Sequence, residues 1–536
     1  MTPDIEKYQG FLRKGKVDMK KRAYSLLLAM IMVFSMAGCG AAKAANSNVA
    51  DTQMADEAAD DSKASEADEQ AAGECPRIKF TTVYPEFDSQ YLSAWTVQAE
   101  VENECYAKLN DSVKKVFDDD YKEFCARLEE ESAESEEYNN NLVDDGTYNQ
   151  MYYTDYKQPV LRRSDDKVVS INLVQYAYSG GAHGGEIDYT YNFDTQTGKL
   201  LDFTDLGDIS AEVKAYILSY IDANENIKES LFEEYKDTIE TDFSDNTCSL
   251  PFYLDGRGLT VIFPQYEIAP YATGKVFITV PYEEIKSFEQ KYLPTEDFYT
   301  IDLEDYWYSP KVDLNGDGAE EEISLQLQYD ENYEYITGAT LSAGKSSVDV
   351  GTQSAHEGYS GLFVHKDGHN YMFVKTDDSN DWKGVMIYEL GDKIEFLQEI
   401  GEGLSIMYYD MVTLSSRVNI FGTYGVERDY VFDEKVGLKP VSTAEDCYRC
   451  TGDPDYNETY GHIEVKKAFK DADGKEVPVG TKLYPCSTND DGIITMVTPD
   501  GDKIKIKYET KSEGWGIMVD GVDEMEIFGD MIPYAG

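Results

Sequence analysis

Val168-Val-Ser-Ile-Asn-Leu-Val-Gln-Tyr-Ala-Tyr178 and Ile187-Asp-Tyr-Thr-Tyr-Asn-Phe193, with Ser179-Gly-Gly-Ala-His-Gly-Gly185 between them, read as strand, loop and strand. β-Branched and aromatic residues crowd both flanks, and the four loop glycines permit positive φ and close backbone approach. His183 sits alone among those glycines. Such an imidazole is a ligand-contacting group, a proton donor or a metal ligand. The plainer alternative is a hairpin or bulge whose histidine bonds to its own sheet. No partner base or nucleophile is identifiable by spacing.

Outward from this stretch, strands and helices follow one another. Ile78–Tyr84 alternates as a strand, and Tyr148–Val160 forms another strand-like run. Between them, Val97, Val101, Tyr106, Leu109, Val113, Val116, Phe117, Tyr121, Phe124 and Leu128 recur at three- and four-residue spacings, which predicts a long helix over 92–134. The acidic run Glu129–Glu137 reads as a solvated helix end or loop. After the second strand, Asp194-Thr-Gln-Thr-Gly198 is a turn into Lys199–Phe203. A helical pair follows at about 210–240, then short strands at 250–255, 258–264 and 275–281.

The N-terminal end carries an address. Residues 1–18 read as an upstream extension, with Met19 the expected start. Lys20, Lys21 and Arg22 precede an apolar stretch from Ala23 to Ala37, and Met-Ala-Gly leads into Cys39. This is the layout of a secretory signal over 19–38, and the stretch falls short of the roughly 20 residues needed to span a bilayer. The cysteine after Met-Ala-Gly resembles the lipobox of bacterial lipoproteins, which implies a diacylated Cys39, carrying fatty acid such as palmitate, as the mature N-terminus. From Gly40 to Gly73 the chain is rich in Ala, Asp, Glu, Ser and Asn and has no aromatic residue. Segment 39–75 is therefore expected to be an acidic, disordered stalk.

The 536 residues carry 48 Lys+Arg against 103 Asp+Glu. Loss of residues 1–38 removes seven basic and three acidic side chains and leaves a net charge of −59. Such a field repels nucleic acid and anionic lipid and attracts basic partners and divalent cations. The length calls for two to four domains. Seven cysteines besides Cys39 are an odd number, so at least one thiol stays free of intramolecular pairing. Cys105 and Cys125, twenty residues apart, would lie ~30 Å apart on one continuous helix and could not pair.

Three phrases occur in order: Tyr178-Ser-Gly-Gly-Ala-His-Gly184, Asn192-Phe-Asp-Thr-Gln-Thr-Gly-Lys199, and Tyr266-Glu-Ile-Ala-Pro-Tyr-Ala-Thr-Gly274 with Val280-Pro-Tyr-Glu283. Together they resemble the extracytoplasmic domain family shared by the lysozyme-sensing anti-sigma-V factor and the N-terminal region of a peptidoglycan deacetylase. The resemblance covers about 76–290. It implies an α+β domain with an antiparallel sheet and helices, facing the cell wall, and in the anti-sigma relative that domain binds lysozyme. Neither a cytoplasmic sigma-binding segment nor the deacetylase's catalytic domain, with its paired-Asp and His metal motifs, is recognisable here. Tyr178, Gly180, Gly181, His183 and Tyr266 are the expected ligand-binding residues.

A second unit, 295–445, reads as β-rich. Near its start, Asp313, Asn315, Asp317 and Glu321 place oxygen side chains at positions 1, 3, 5 and 9 of a loop, with Gly318 at 6 and the Ala319 carbonyl at 7. That alternation suits calcium. Position 12 is Ser324 and the flank alternates as a strand, so the loop resembles those of β-rich repeat domains more than an EF-hand; an unoccupied Asn-Gly/Asp-Gly turn is the alternative. His365-Lys-Asp-Gly-His369 has the spacing of a helical zinc pair, but Lys-Asp-Gly is a hairpin turn. Cys447-Tyr-Arg-Cys450, with His462 and Cys486, spaces irregularly for zinc; a local disulfide pattern or free thiols fit better. The last segment, 446–536, has turns at Asp471–Gly474, Asn489–Gly492 and Pro499–Gly501 between alternating strands, and resembles a small SH3-like β barrel.

The sequence thus predicts an extracytoplasmic α+β protein, tied to the bacterial membrane through lipid on Cys39. Its expected role is binding without catalysis, with a basic protein such as lysozyme as partner and calcium as the expected ion. A wall glycan is the alternative ligand, and a wall hydrolase using His183 the third reading.

Overall fold

The structure, a computed structural model, describes residues 75–141, 150–329, 336–350, 358–377, 383–451, 462–511, 516–529, 532 and 534. Cys39, the signal and the stalk as far as residue 74 lie outside the described residues; Cys75, expected to end the stalk, is buried. The first sheet contains β1 (Ile78–Val83), β2 (Leu92–Val101), β3 (Tyr153–Ser164), β4 (Val168–Tyr178) and β5 (Gly185–Asp194), in that spatial order. Neighbours run antiparallel except β2 and β3, which are parallel. A parallel pair needs a crossover, and helix α1 (Ala107–Asn140) supplies it.

The structure corrects the helix expected over 92–134. Residues 92–101 are strand, and the helix starts at Ala107 and runs on through the acidic stretch to Asn140. The physical reason lies in the spacing: Val97 and Val101, four apart, share a face in a strand as well as in a helix. Ala99 between them is also buried, which only the strand period explains.

One stripe of α1, Leu109, Val113, Phe117, Phe124 and Leu128, is buried. Val97, Ala99, Val101, Val169, Ile171, Leu173 and Phe193 of the sheet meet its first half. Each fully buried aliphatic side chain contributes about 1.5–3 kcal/mol. The opposite face of β4 is covered by a second, antiparallel sheet of β6 (Phe252–Leu254), β7 (Gly258–Phe263) and β8 (Val276–Pro281). The seam is polar: Leu254 N donates to Ser170 Oγ at 3.2 Å, and Asn192 Nδ2 donates to the Phe252 carbonyl at 3.0 Å. Helices α2 (Ser210–Ala223), α3 (Glu225–Ser230) and α4 (Tyr235–Asp242) close the other side of the second sheet through Val213, Ile217, Ile221, Ile227 and Ile239.

The rest of the chain is β-rich. Strands Phe298–Asp302, Gly358–Lys366, His369–Asp377, Lys383–Leu390 and Ile394–Ile400 make one sheet, and Lys311–Val312, Glu321–Tyr329, Ile336–Ala343 and Ser346–Val350 another. A third sheet runs from Gly403–Met407 through Thr423–Asp433 and Tyr448–Thr451 to Lys482–Thr488 and Lys503–Lys507. It crosses the boundary expected at 445/446 without a break, because turn signals mark hairpins but not the sheet each hairpin joins. Its core likewise mixes Val418 and Val426 with Leu483, Ile494 and Ile506.

Candidate functional site: an aromatic stack on the glycine loop

On β4, Val169, Ile171 and Leu173 face α1, so Tyr176 and Tyr178 face the other way. Trp95 opposes Tyr156 and Tyr156 opposes Tyr176 across β2, β3 and β4. Their rings form a row, with centroids 5.0 Å and then 5.4 Å apart. Gly184 lies against the end of this row: a Cβ there would come within 2.5 Å of the Tyr176 ring and 2.8 Å of the Ala177 carbonyl. Glycine is required because the ring occupies that space.

Held in this way, the loop presents a second stack. The His183 ring lies 3.6 Å from that of Tyr271, nearly parallel at 17°, and Tyr271 is 5.7 Å from Tyr266. Tyr271 Oη donates to the Gly184 carbonyl at 3.0 Å, and Tyr178 Oη to the Gly181 carbonyl at 3.2 Å. His183 Nδ1 lies 3.0 Å from the Gly184 carbonyl. Gly180 and Gly181 adopt φ of 98° and 100°. Tyr266 adopts φ 69° and is 43% exposed. Of the five residues expected to contact a ligand, Tyr178 thus meets the glycine loop, while His183 stacks on Tyr271 and Tyr266 lies tilted against it. Sequence reasoning misses Tyr271, which stands five residues after Tyr266 in the same phrase. Among the described residues no carboxylate bonds to His183.

A charged layer supports the same sheet from the α1 side. The buried Asp155 carboxylate accepts from Arg127 Nε at 2.9 Å and Nη2 at 2.8 Å, and from Gln175 Nε2 at 2.7 Å. Lys157 Nζ donates to Asp120 at 2.6 Å, and Tyr191 Oη to the same oxygen at 3.2 Å. Burial, and next the Asp155 charge, push the Glu131 carboxyl up to about 7, against the pull of Arg127. On the loop side, Lys275 Nζ pairs with Glu186 and Asp188, each at 3.0 Å.

The loop expected to hold calcium is a tight turn whose carboxylates bind backbone. Asp313 accepts from the amides of Gly316 and Gly318 at 2.8 Å each, Asn315 from Asp317 at 2.9 Å, Asp317 from Ala319 at 2.8 Å, and Glu321 from Leu314 at 3.0 Å. These amides hold the Asp313 carboxyl below its usual range. Among the described residues no group of three or more His, Cys, Asp or Glu is arranged to hold a metal. His365 and His369 flank a hairpin turn with Asp367 at φ 50° and Gly368 at φ 77°. They bond separately, His365 to Asn370 and Asp297, His369 to Glu389.

Residues 77–186 match the family model described as deacetylase PdaC, and residues 203–283 match that of a protein of unknown function, DUF3298. These two stretches form a PdaC-like extracytoplasmic domain. The first match ends just after the glycine loop; the second contains Tyr266 and Tyr271. A DUF3298-family structure from Bacteroides fragilis is 18% identical, covering 40% of this chain and 95% of its own, with a TM-score of 0.30. Another from Pseudomonas aeruginosa is 16% identical, covering 41% and 97%, with a TM-score of 0.26. No curated protein is found to match the chain. The PdaC-like domain makes this a cell-envelope-related protein. Among the described residues no helix is long and apolar enough to cross a membrane.

Proposed function

We propose that this PdaC-like protein is a lipid-anchored binding protein of the bacterial envelope that captures a basic protein, lysozyme being the partner its domain resemblance implies. The observation that carries the reading is the aromatic cluster of His183, Tyr271 and Tyr266 on a glycine loop held by Tyr176. Aromatic rings that bury easily and lose little side-chain entropy are frequent binding anchors. A net charge of −55 over the chain draws a basic partner towards them. The lipid on Cys39 would keep the site at the membrane surface, since two acyl chains anchor durably.

Calorimetric titration of lysozyme into the mature chain across a salt series tests this. Saturable binding that persists at about 0.3 M salt, where charges are screened within ~6 Å, is expected. Tyr271→Ala should weaken it about tenfold or more. Heat that vanishes with salt, unchanged by Tyr271→Ala, would leave only nonspecific charge attraction. A wall glycan is the second reading, favoured by the exposed Tyr266 ring; co-sedimentation with purified peptidoglycan, lost in Tyr266→Ala, is its test.

A further inference from the structure

Strand Tyr448–Thr451 pairs antiparallel with strand Lys482–Thr488, Tyr448 opposite Thr488 and Arg449 opposite Ser487. The next step of that register sets Cys450 opposite Cys486. Directly opposed residues have Cα atoms about 4.5–5.5 Å apart, inside the ~4.4–6.8 Å range that a disulfide spans. Tyr448 and Cys450, two residues apart, turn to one side and both pack against the core. On its other flank Cys486 is free of the ladder, because pairing with Ile493–Val497 skips from Pro485 to Ser487 at a bulge. The two sulfurs are near enough for charge on one to oppose ionisation of the other. Burial, then Cys486, push the Cys450 thiol up to about 12.

The sequence-adjacent alternative fails on geometry. Cys447 and Cys450 flank extended residues, which separates their Cα atoms by about 10 Å at ~3.3 Å per residue. Among the described residues no other two cysteines lie opposite each other on paired strands; all seven are free thiols here. The domain family is extracytoplasmic, where disulfides persist.

We propose that Cys450 and Cys486 form a disulfide in the exported protein. The two thiols together lose two protons and two electrons and form one S–S bond. A disulfide-bearing thiol oxidoreductase of the extracytoplasmic space accepts the electrons by exchange and is left as a dithiol. The bridge joins a four-residue strand to its neighbour with only two paired positions between them. This is the seam at which strands 403–433 meet strands 482–507, so the bond staples the narrowest point of the sheet.

Peptide mapping of the full exported chain, denatured without reductant and alkylated, tests the pairing. Trypsin cuts after Arg449 and so separates Cys447 from Cys450. A linked pair of peptides carrying Cys450 and Cys486, with Cys447 alkylated, is expected. Alkylation of both Cys450 and Cys486, or a link from Cys447 to either, overturns the proposal. Cys486→Ser should convert Cys450 to the alkylated form and leave Cys447 unchanged. Reductant should lower the unfolding midpoint of the wild type but not of Cys450→Ser/Cys486→Ser, and a reductant effect persisting in the double variant counts against the bridge.

Discussion

The Arg77 guanidinium grips the Asp410 carboxylate with both terminal nitrogens, at 2.8 and 2.6 Å, across 333 residues of sequence. Arg77 also lies over the Tyr408 ring at 4.6 Å. The Tyr408 hydroxyl accepts from Ile78 N at 2.9 Å and donates to Ile78 O at 3.1 Å. The first strand of the PdaC-like domain is therefore held at its start by the turn between strands Gly403–Met407 and Val412–Asn419. Tyr408→Phe strands a buried amide and carbonyl and should cost about 1–3 kcal/mol. Denaturant unfolding should then resolve into separate transitions for the two parts, whereas a single unchanged transition would show that this contact does not couple them.

Lys157 and Asp120 form a buried ion pair, both more than nine-tenths buried, and Asp120 Oδ2 has no hydrogen-bond partner among the described residues. Removal of the cation leaves a carboxylate buried without its counter-charge. Lys157→Met is expected to destabilise the protein by about 3–5 kcal/mol. Lys157→Met combined with Asp120→Leu should recover much of that loss. Equal stability of the single and double variants in urea would show that the pair is not coupled.

Glu131 gives the stability a pH dependence of definite sign. Its ordinary carboxyl value is 4.5 and the folded value is about 7, raised by burial and the Asp155 charge, with Glu134 adding and Arg127 opposing. Between these values the folded chain keeps a proton that the unfolded chain has released, so this group's contribution is greatest below about pH 4.5 and declines as pH rises to about 7. Glu131→Gln, which mimics the protonated form, should stabilise by about 1–3 kcal/mol at pH 7.5 and do nothing at pH 4. Thermal melts across that range decide it, and destabilisation at pH 7.5 would mean that the 3.3 Å contact with Arg127 prevails.

Local signals made much of this architecture legible. Val168–Tyr178 is a strand at the bounds its β-branched and aromatic residues imply, and the glycine loop joins it to an antiparallel neighbour. Short strands at 252–254, 258–263 and 276–281 likewise sit between their turn residues. What escaped depends on partners remote in sequence. Nothing near Val97 says that β1 and β3 will flank it, and nothing near Arg77 points to Asp410. The site was half legible for the same reason: His183 stands out among glycines, but its partner Tyr271 is placed against it only by the packing of the second sheet on the first.

Asp313 organises its turn by accepting amides from Gly316 and Gly318. Asp313→Ala should therefore lower the melting midpoint in the presence of a chelator. Calcium, expected from the spacing of oxygens, would take the carboxylate lone pairs that these amides leave open. If the ion binds here, millimolar calcium should raise the wild-type melting midpoint and leave that of Asp313→Ala where the chelator left it. Equal shifts in both proteins would place any calcium elsewhere.

Gly184 separates structural from functional roles in the glycine loop. A methyl group there meets the Tyr176 ring at 2.5 Å and the Ala177 carbonyl at 2.8 Å, and the backbone oxygen cannot move aside cheaply. Gly184→Ala should displace the segment that carries His183, and with it the Tyr271 bond to the Gly184 carbonyl. Overpacking of this kind costs about 1–3 kcal/mol, too little to unfold the domain. His183→Ala removes one ring and leaves the backbone in place. If the exposed stack is the binding surface, Gly184→Ala should weaken partner binding at least as much as His183→Ala, with circular dichroism unchanged in both. Loss of stability in Gly184→Ala with full retention of binding would assign the loop to folding alone.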